Sequence, residues 1–172
     1  MSATWIRHVP EWGAALILAA FVVLAHGMTP ASILPLYIAA VSPALCCADL
    51  IHRRLPNRLV IPGYAVAATA VTVGWITGDR IAPMAGIAGA LYFAFLLALS
   101  VLGGMGMGDV KLAGVLGLAA GGLGLVTALA SPVIAFVVGT VAALATLARR
   151  TGRSIPFGPC LLAGFWSAAL FF

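Results

Sequence analysis

The sequence predicts an all-α protein whose helices cross a membrane. Of its 172 residues, 63% are hydrophobic and only 8% are charged, and the mean hydropathy is +1.17. Soluble domains carry only about one-half apolar residues, so a soluble fold would leave much of this surface uncovered. The long runs of Leu, Ala and Val lack the alternation of strands. Because backbone amides in lipid must be paired within each segment, we expect a polytopic helical bundle.

Six stretches of the chain are long and apolar enough to be candidate membrane spans, since a hydrocarbon layer about 30 Å thick needs about 20 residues of helix. A short seventh helix is predicted from about 109 to 121, with a turn at Gly121 and Gly122. We therefore expect one integral membrane domain over residues 1–172. The predicted spans are 11–27, 31–49, 59–77, 82–102, 123–148 and 157–172.

The first span has a second interpretation, a cleaved signal peptide, because Arg7 precedes an apolar stretch from Gly13 to Ala25. A further span begins four residues after the first one. That short spacing favours a retained helical hairpin.

Several ligand classes have no support in the sequence. Histidines occur singly and no CxxC is present, which argues against a zinc site. The net charge of +5 comes from a few Lys and Arg between apolar segments, where they set topology and do not indicate nucleic acid. The glycine-rich stretch 103–109 fails as a nucleotide loop, because Asp109 occupies the place of the last glycine in G-x-G-x-x-G. We expect no metal, no cofactor and no nucleic-acid partner.

The basic residues predict the orientation, since Lys and Arg accumulate on the cytoplasmic side. With the N-terminus in the cytoplasm, all of the nine basic residues except Arg80 fall on that side. The same count places Asp49, at the end of the second span, and Asp109, two spans later, on the cytoplasmic face. Asp79 falls on the opposite face.

An acidic residue at the mouth of a membrane helix is costly, so Asp49 and Asp109 are candidate functional residues. Each also has a local alternative, an ion pair of Asp49 with Arg53 or of Asp109 with Lys111. Sequence alone leaves this choice open for either aspartate.

Three segments between residues 46 and 160 resemble one family in their order and composition. Gly106-Met107-Gly108-Asp109 is similar to the GxGD signature of intramembrane aspartyl proteases. Its continuation through Lys111 resembles that of the bacterial type IV prepilin peptidases. The run from Asp49 through a basic loop to Pro56-Asn57 resembles that family's first catalytic segment, and Ile155-Pro156-Phe157-Gly158-Pro159 its third. The presenilin branch fits less well, because the chain is short and lacks a PAL motif.

This resemblance implies an aspartyl endopeptidase with Asp49 and Asp109 as its catalytic pair. The implied substrate is a prepilin, with a basic leader and an apolar helix, cleaved at the cytoplasmic side of a bacterial inner membrane. Many family members carry an insert with two CxxC pairs and a methyltransferase activity, which this chain lacks. It resembles the short form that accompanies Flp/Tad pili. The supporting residues implied are Gly106, Gly108, Lys111, Pro56, Asn57, Pro156, Gly158 and Pro159.

Two neighbouring carboxyls suit peptide hydrolysis, because one must take a proton from water while the other supplies one to the substrate. Like charges in a poorly solvated site share one proton, so the titration belongs to the pair. The sequence does not decide which aspartate is the base.

The supporting residues also have purely structural interpretations. Pro56 breaks helix and Asn57 can cap the next one near Arg58, and the two prolines after Ile155 can simply form a turn. Lys111 can lower the pKa of the pair or hold the loop, but we favour a lysine that extends to the interface. Gly117 and Gly121 form a G-x-x-x-G that permits close helix packing.

Two other functions compete with proteolysis. A small proton-linked transporter also uses intramembrane carboxylates, but such relays place them at mid-span. A non-catalytic pilus-assembly subunit would retain the motifs without activity. The remaining expected partners are membrane lipids, and the sequence leaves the oligomeric state open.

Overall fold

The computed structural model describes residues 9–78, 82–103, 105–148 and 156–172. These residues form seven α-helices and contain no strand, so the predicted all-α fold is confirmed. A 3-10 turn at Pro30–Ser32 leads into the second helix. The helices are α1 Val9–His26, α2 Ile33–His52, α3 Asn57–Thr77, α4 Ala82–Val101, α5 Met107–Leu123, α6 Leu125–Ala148 and α7 Gly158–Phe171.

Within the described ranges, four helical segments are long and apolar enough to cross a membrane. They are Pro30–His52, Asn57–Thr77, Pro83–Val101 and Leu125–Ala148. The first and last predicted spans are apolar but shorter as helices, Trp12–His26 and Gly158–Phe171. With 14 residues at about 1.5 Å each, α7 is about 21 Å long, less than a hydrocarbon core. The described residues thus form a helical membrane bundle with four long candidate spans.

The short predicted helix exists, and it is longer than expected. It runs through Leu123 and ends at Gly124, beyond the Gly121 and Gly122 where we predicted a turn. Gly124 has a φ of 142°, a backbone conformation that side chains disfavour. The break therefore falls on the one glycine of this stretch that takes a positive φ, while Gly121 and Gly122 stay helical.

Most of α5 is buried in the centre of the bundle, where its packing depends on glycine. A Cβ on Gly117 would lie 2.8 Å from the carbonyl oxygen of Ala88, and one on Gly121 would lie 2.7 Å from the carbonyl oxygen of Met84. Across the interface, a Cβ on Gly89 would meet the side chain of Leu118. The predicted close packing through Gly117 and Gly121 is confirmed, and α4 is its partner.

The outer surface fits a lipid environment. Large apolar side chains are exposed along the long helices, above all on α6, where Leu129, Val133 and Leu144 are each more than half exposed. Some residues used to predict the orientation lie outside the described residues. They are Arg7, Asp79, Arg80, Arg149, Arg150 and Arg153, as is Ile155 of the third motif.

Candidate active site

Asp49 lies in the last turn of α2 and is only 5% exposed. The helix ends three residues later, and Arg53 takes a left-handed conformation with φ 50°, donating its N–H to the Asp49 carbonyl at 2.9 Å. Pro56 then precedes α3 with an extended backbone. Proline has no backbone N–H to donate, so it is tolerated at this position before the helix. The predicted break after Asp49 is confirmed.

Asn57 does not act as the helix cap that the sequence suggested. The N-cap position of α3 is Pro56, and Asn57 is the first helical residue. Its side-chain oxygen instead accepts a hydrogen bond from Lys111 Nζ at 3.3 Å. The carbonyl of Lys111 in turn accepts from the Tyr64 hydroxyl at 2.8 Å. Two polar contacts therefore join the start of α5 to α3, and Lys111 holds the loop instead of simply extending to the interface.

Asp109 lies in the first turn of α5. Gly106 is the N-cap with an extended backbone, and its carbonyl accepts the Asp109 N–H at 3.1 Å. A Cβ on Gly108 would lie 3.2 Å from the Cβ of Leu55, tight enough to displace that neighbour. Gly108 of the GxGD motif thus lets the connector between α2 and α3 approach the helix that carries Asp109.

The third motif reaches Asp49 directly. Gly158 begins α7 and donates its backbone N–H to Asp49 Oδ2 at 2.9 Å, in a buried hydrogen bond between residues 109 apart. Pro159 sits in the first turn, where a missing N–H costs nothing. A Cβ on Gly158 would lie 2.9 Å from the same carboxylate oxygen. Only glycine therefore leaves room for this contact, and the helix N-terminus favours a negative charge.

Both aspartates line one open cleft of about 350 Å³. The structure thus brings together two residues sixty apart in sequence, at one end of the bundle, as the span count predicted. Gly158 lies next to the cleft through its hydrogen bond to Asp49, and Pro156 and Pro159 are near it in sequence but do not line the cleft. The cleft is lined by Asp49, Arg53, Arg54, Leu55, Asn57, Gly106, Met107, Gly108, Asp109 and Lys111.

The surroundings change the acidity of Asp109. Burial, followed by the negative charge of Asp49, raises the pKa of Asp109 to about 6, and a backbone hydrogen bond at Gly106 opposes the rise. Burial acts in this direction because it penalises the charged form of a carboxyl. Near neutral pH the cleft therefore contains a carboxyl poised to exchange a proton.

Within the part of the chain that the structure describes, no group of three or more His, Cys, Asp or Glu side chains could hold a metal ion. The polar side chains that line the cleft are the two carboxyls, Arg53, Arg54, Asn57 and Lys111.

Comparison with known families decides what this cleft belongs to. The model of the type IV leader peptidase family matches residues 36–147. The chain belongs to the type IV leader peptidase family. The match includes the segments of Asp49 and Asp109 and ends before Pro156. The comparison with curated proteins found no match, and neither did the one with solved structures.

Membership in the leader peptidase family makes this chain a membrane-embedded peptidase whose substrate class is a prepilin. The resemblance predicted from the three motifs is thereby confirmed at the level of the family.

Sequence reasoning missed two features of this leader peptidase. The motif around Gly158 was expected to support the site or to form a turn, and its backbone donor to Asp49 was not foreseen. Leu55 was not singled out, although it lies beside Gly108 and Gly158. The available signal was an apolar residue next to Arg53 and Arg54 in an otherwise polar connector.

Proposed function

We propose that this leader peptidase is an aspartyl endopeptidase in which Asp49 and Asp109 together activate the water that cleaves a prepilin leader. The observation that carries the proposal is that both carboxyls line the same cleft, one of them with a pKa raised to about 6. Hydrolysis requires a base for the water and an acid for the leaving nitrogen, and two carboxyls with one proton supply both.

The two aspartates have different polar surroundings. Asp109 keeps a proton up to about pH 6, because it is buried beside another carboxyl. The N–H of Gly158 stabilises negative charge on Asp49 Oδ2. During the reaction the proton belongs to the pair, and the attacking water lies between them in the cleft.

The proposed substrate is a Flp-type prepilin, cleaved on the cytoplasmic side of a bacterial inner membrane, with the N-terminus of the peptidase in the cytoplasm. The lack of CxxC pairs supports the short form, and the placement of basic residues supports the orientation. In this orientation Arg58 lies near the headgroups of anionic lipid, with about 1 kcal/mol of attraction, while Arg53 and Arg54 line the cleft. Glycine before the scissile bond would ease unwinding of the substrate helix.

The position of the acids argues against a proton-linked transporter. Asp49 lies in the last turn of α2 and Asp109 in the first turn of α5, so neither occupies the middle of a span where a relay needs it. A non-catalytic assembly subunit is separated from an enzyme by an activity assay.

The test is cleavage of a co-expressed Flp-type prepilin, read as a gel shift, by wild type, Asp49→Asn and Asp109→Asn. Each variant should lose cleavage, because asparagine can neither accept nor share the proton. Asp79→Asn, on the opposite predicted face, is the matched control and should cleave normally. Size-exclusion profiles in detergent show whether each variant is folded. Normal cleavage by either purified asparagine variant at position 49 or 109 would contradict the mechanism.

A further inference from the structure

Leu55 lies between the two segments that hold the candidate catalytic pair. Its Cβ is 3.2 Å from the place of a Cβ on Gly108, and its Cδ2 is 3.2 Å from the place of a Cβ on Gly158. Gly108 directly precedes Asp109, and Gly158 is the residue whose N–H binds Asp49. The isobutyl group therefore reaches from the segment of one aspartate to the hydrogen-bond donor of the other.

The local backbone directs this one side chain inward. Arg53 and Arg54 are exposed, whereas Leu55 is half-buried and packs against the core of the bundle. The left-handed turn at Arg53 and the extended residue Pro56 flank it. Apart from the glycines, Leu55 and Met107 are the apolar residues that line the cleft, and the other lining side chains are polar or charged.

We infer that Leu55 is a positioning residue that fixes the spacing of the Asp49 and Asp109 segments and excludes water from the part of the cleft between them. This inference rests on the proposed aspartyl mechanism. It also gives a reason for glycine at two motif positions, because a side chain on either Gly108 or Gly158 would displace Leu55.

An apolar side chain beside a carboxyl affects the pKa of that carboxyl by limiting its hydration. Burial is the leading cause of the raised pKa of Asp109, and removing apolar atoms that keep water out weakens that cause. The other charged and titratable groups around Asp109 are Asp49 on α2, Arg53 and Arg54 in the connector, Lys111 on α5 itself and Cys160 on α7. Substitution of Leu55 removes none of these five groups.

The first experiment compares Leu55→Ala with Leu55→Met and with Leu59→Ala in the full-length protein. Leu59 is a matched control, because it packs against the same core and does not line the cleft. Prepilin cleavage is measured from pH 4 to pH 9. We expect the alkaline limb of the Leu55→Ala profile to move about one pH unit toward acid, as expected for partial hydration of a buried carboxyl. Leu55→Met should keep the wild-type pH profile. Leu59→Ala should keep the alkaline limb at the wild-type pH, even if its rate of cleavage differs.

A second readout is independent of activity. Carbon-13 labelling of aspartate gives three carboxyl signals, since the chain has three aspartates, and Asp109→Asn assigns one of them. The midpoint of the Asp109 signal should fall toward 3.8 in Leu55→Ala and stay in place in Leu59→Ala. If Leu55→Ala loses activity while both midpoint and limb stay in place, Leu55 only packs and the inference is overturned. Unchanged activity and midpoint overturn it as well.

A double-mutant cycle gives a third test that also works if Leu55→Ala folds poorly. The nearest atoms to a Cβ on Gly108 all belong to Leu55, whereas a Cβ on Gly158 also meets Asp49 Oδ2. Leu55→Gly should therefore restore a larger share of the activity lost in Gly108→Ala than of that lost in Gly158→Ala, whose Cβ would still meet Asp49 Oδ2. Equal rescue of both, or of neither, would contradict the proposed role of Leu55. Active Asp49→Asn or Asp109→Asn enzyme would instead refute the aspartyl mechanism, a different result from any of these.

Discussion

The two halves of α5 are held in different ways. Its C-terminal half packs onto α4 through Gly117 and Gly121, where backbone lies against backbone and a single Cβ has no room. Its N-terminal turn carries Asp109 into an open cleft and is joined to its neighbours by polar contacts such as Lys111 with Asn57. The closely packed C-terminal half holds α5 in place. The N-terminal half can therefore hold a buried carboxyl, which lowers the stability of the fold.

This difference predicts that substitution of glycine by alanine harms folding in the C-terminal half of α5. Gly121→Ala places a Cβ 2.7 Å from the carbonyl of Met84 and 2.8 Å from the Cα of Ala85, so α4 must move away. We expect a loss of about 2–3 kcal/mol, measured as a lower melting temperature in detergent.

Gly122→Ala is the matched control for that loss. Gly122 is the next residue of α5, and nothing lies within 4 Å of its added Cβ. Alanine there should be neutral or stabilise the helix by up to about 1 kcal/mol. Equal melting temperatures for the two variants would show that the α4 and α5 contact does not hold the bundle.

At the cleft the same change should harm catalysis more than folding. Gly158→Ala places a Cβ 2.9 Å from Asp49 Oδ2, which pushes the carboxylate from its backbone donor. Cleavage should fall by about tenfold or more, the equivalent of about 1.4 kcal/mol in the barrier. The measurement compares the change in kcat with the change in melting temperature, both determined on the same preparation of Gly158→Ala and of wild type. A large fall in melting temperature with unchanged kcat would show that Gly158 serves the packing of α7 and does not position the Asp49 carboxylate.

The closely packed C-terminal half of α5 was easier to predict from the sequence than the N-terminal half. The helices follow from runs of apolar residues, and the closeness of α4 and α5 follows from the spacing of Gly117 and Gly121, because residues four apart share a helix face. The placement of Asp49 and Asp109 at the same end follows from counting spans, and the family from the motifs around them.

What the sequence could not predict depends on contacts between distant segments. The bond from Gly158 to Asp49 joins residues 109 apart, and no local pattern encodes which carboxylate a helix N-terminus meets. Asn57 was expected to cap a helix, and its side chain is instead bound by Lys111, 54 residues away. The end of α5 was misplaced because three of the four residues 121–124 are glycine, and only packing decides which of them breaks the helix.

The bond between Lys111 and Asn57 allows a smaller test of the polar half. The bond is exposed and 3.3 Å long, so removing it should cost about 0.5–1 kcal/mol. Asn57→Ala and Lys111→Met should each lower the rate of cleavage about threefold, because the α2 to α3 connector is less firmly held. Combining them should add little to either alone. Fully additive losses would mean that the two side chains act separately.

A pH dependence of stability should also originate in the cleft. The pKa of Asp109 is raised from 3.8 to about 6, so the folded protein binds this proton more tightly than the unfolded chain does. Its contribution to stability is complete below pH 3.8 and is lost as the pH rises through about 6. The melting temperature in detergent should therefore decline between these two values, and Asp109→Asn should flatten the decline because asparagine does not titrate. Gly122→Ala, which leaves the cleft untouched, should retain the wild-type slope. If Asp109→Asn keeps that slope, the group that destabilises the fold as the pH rises is not Asp109. The loss of stability then does not originate in the N-terminal half of α5.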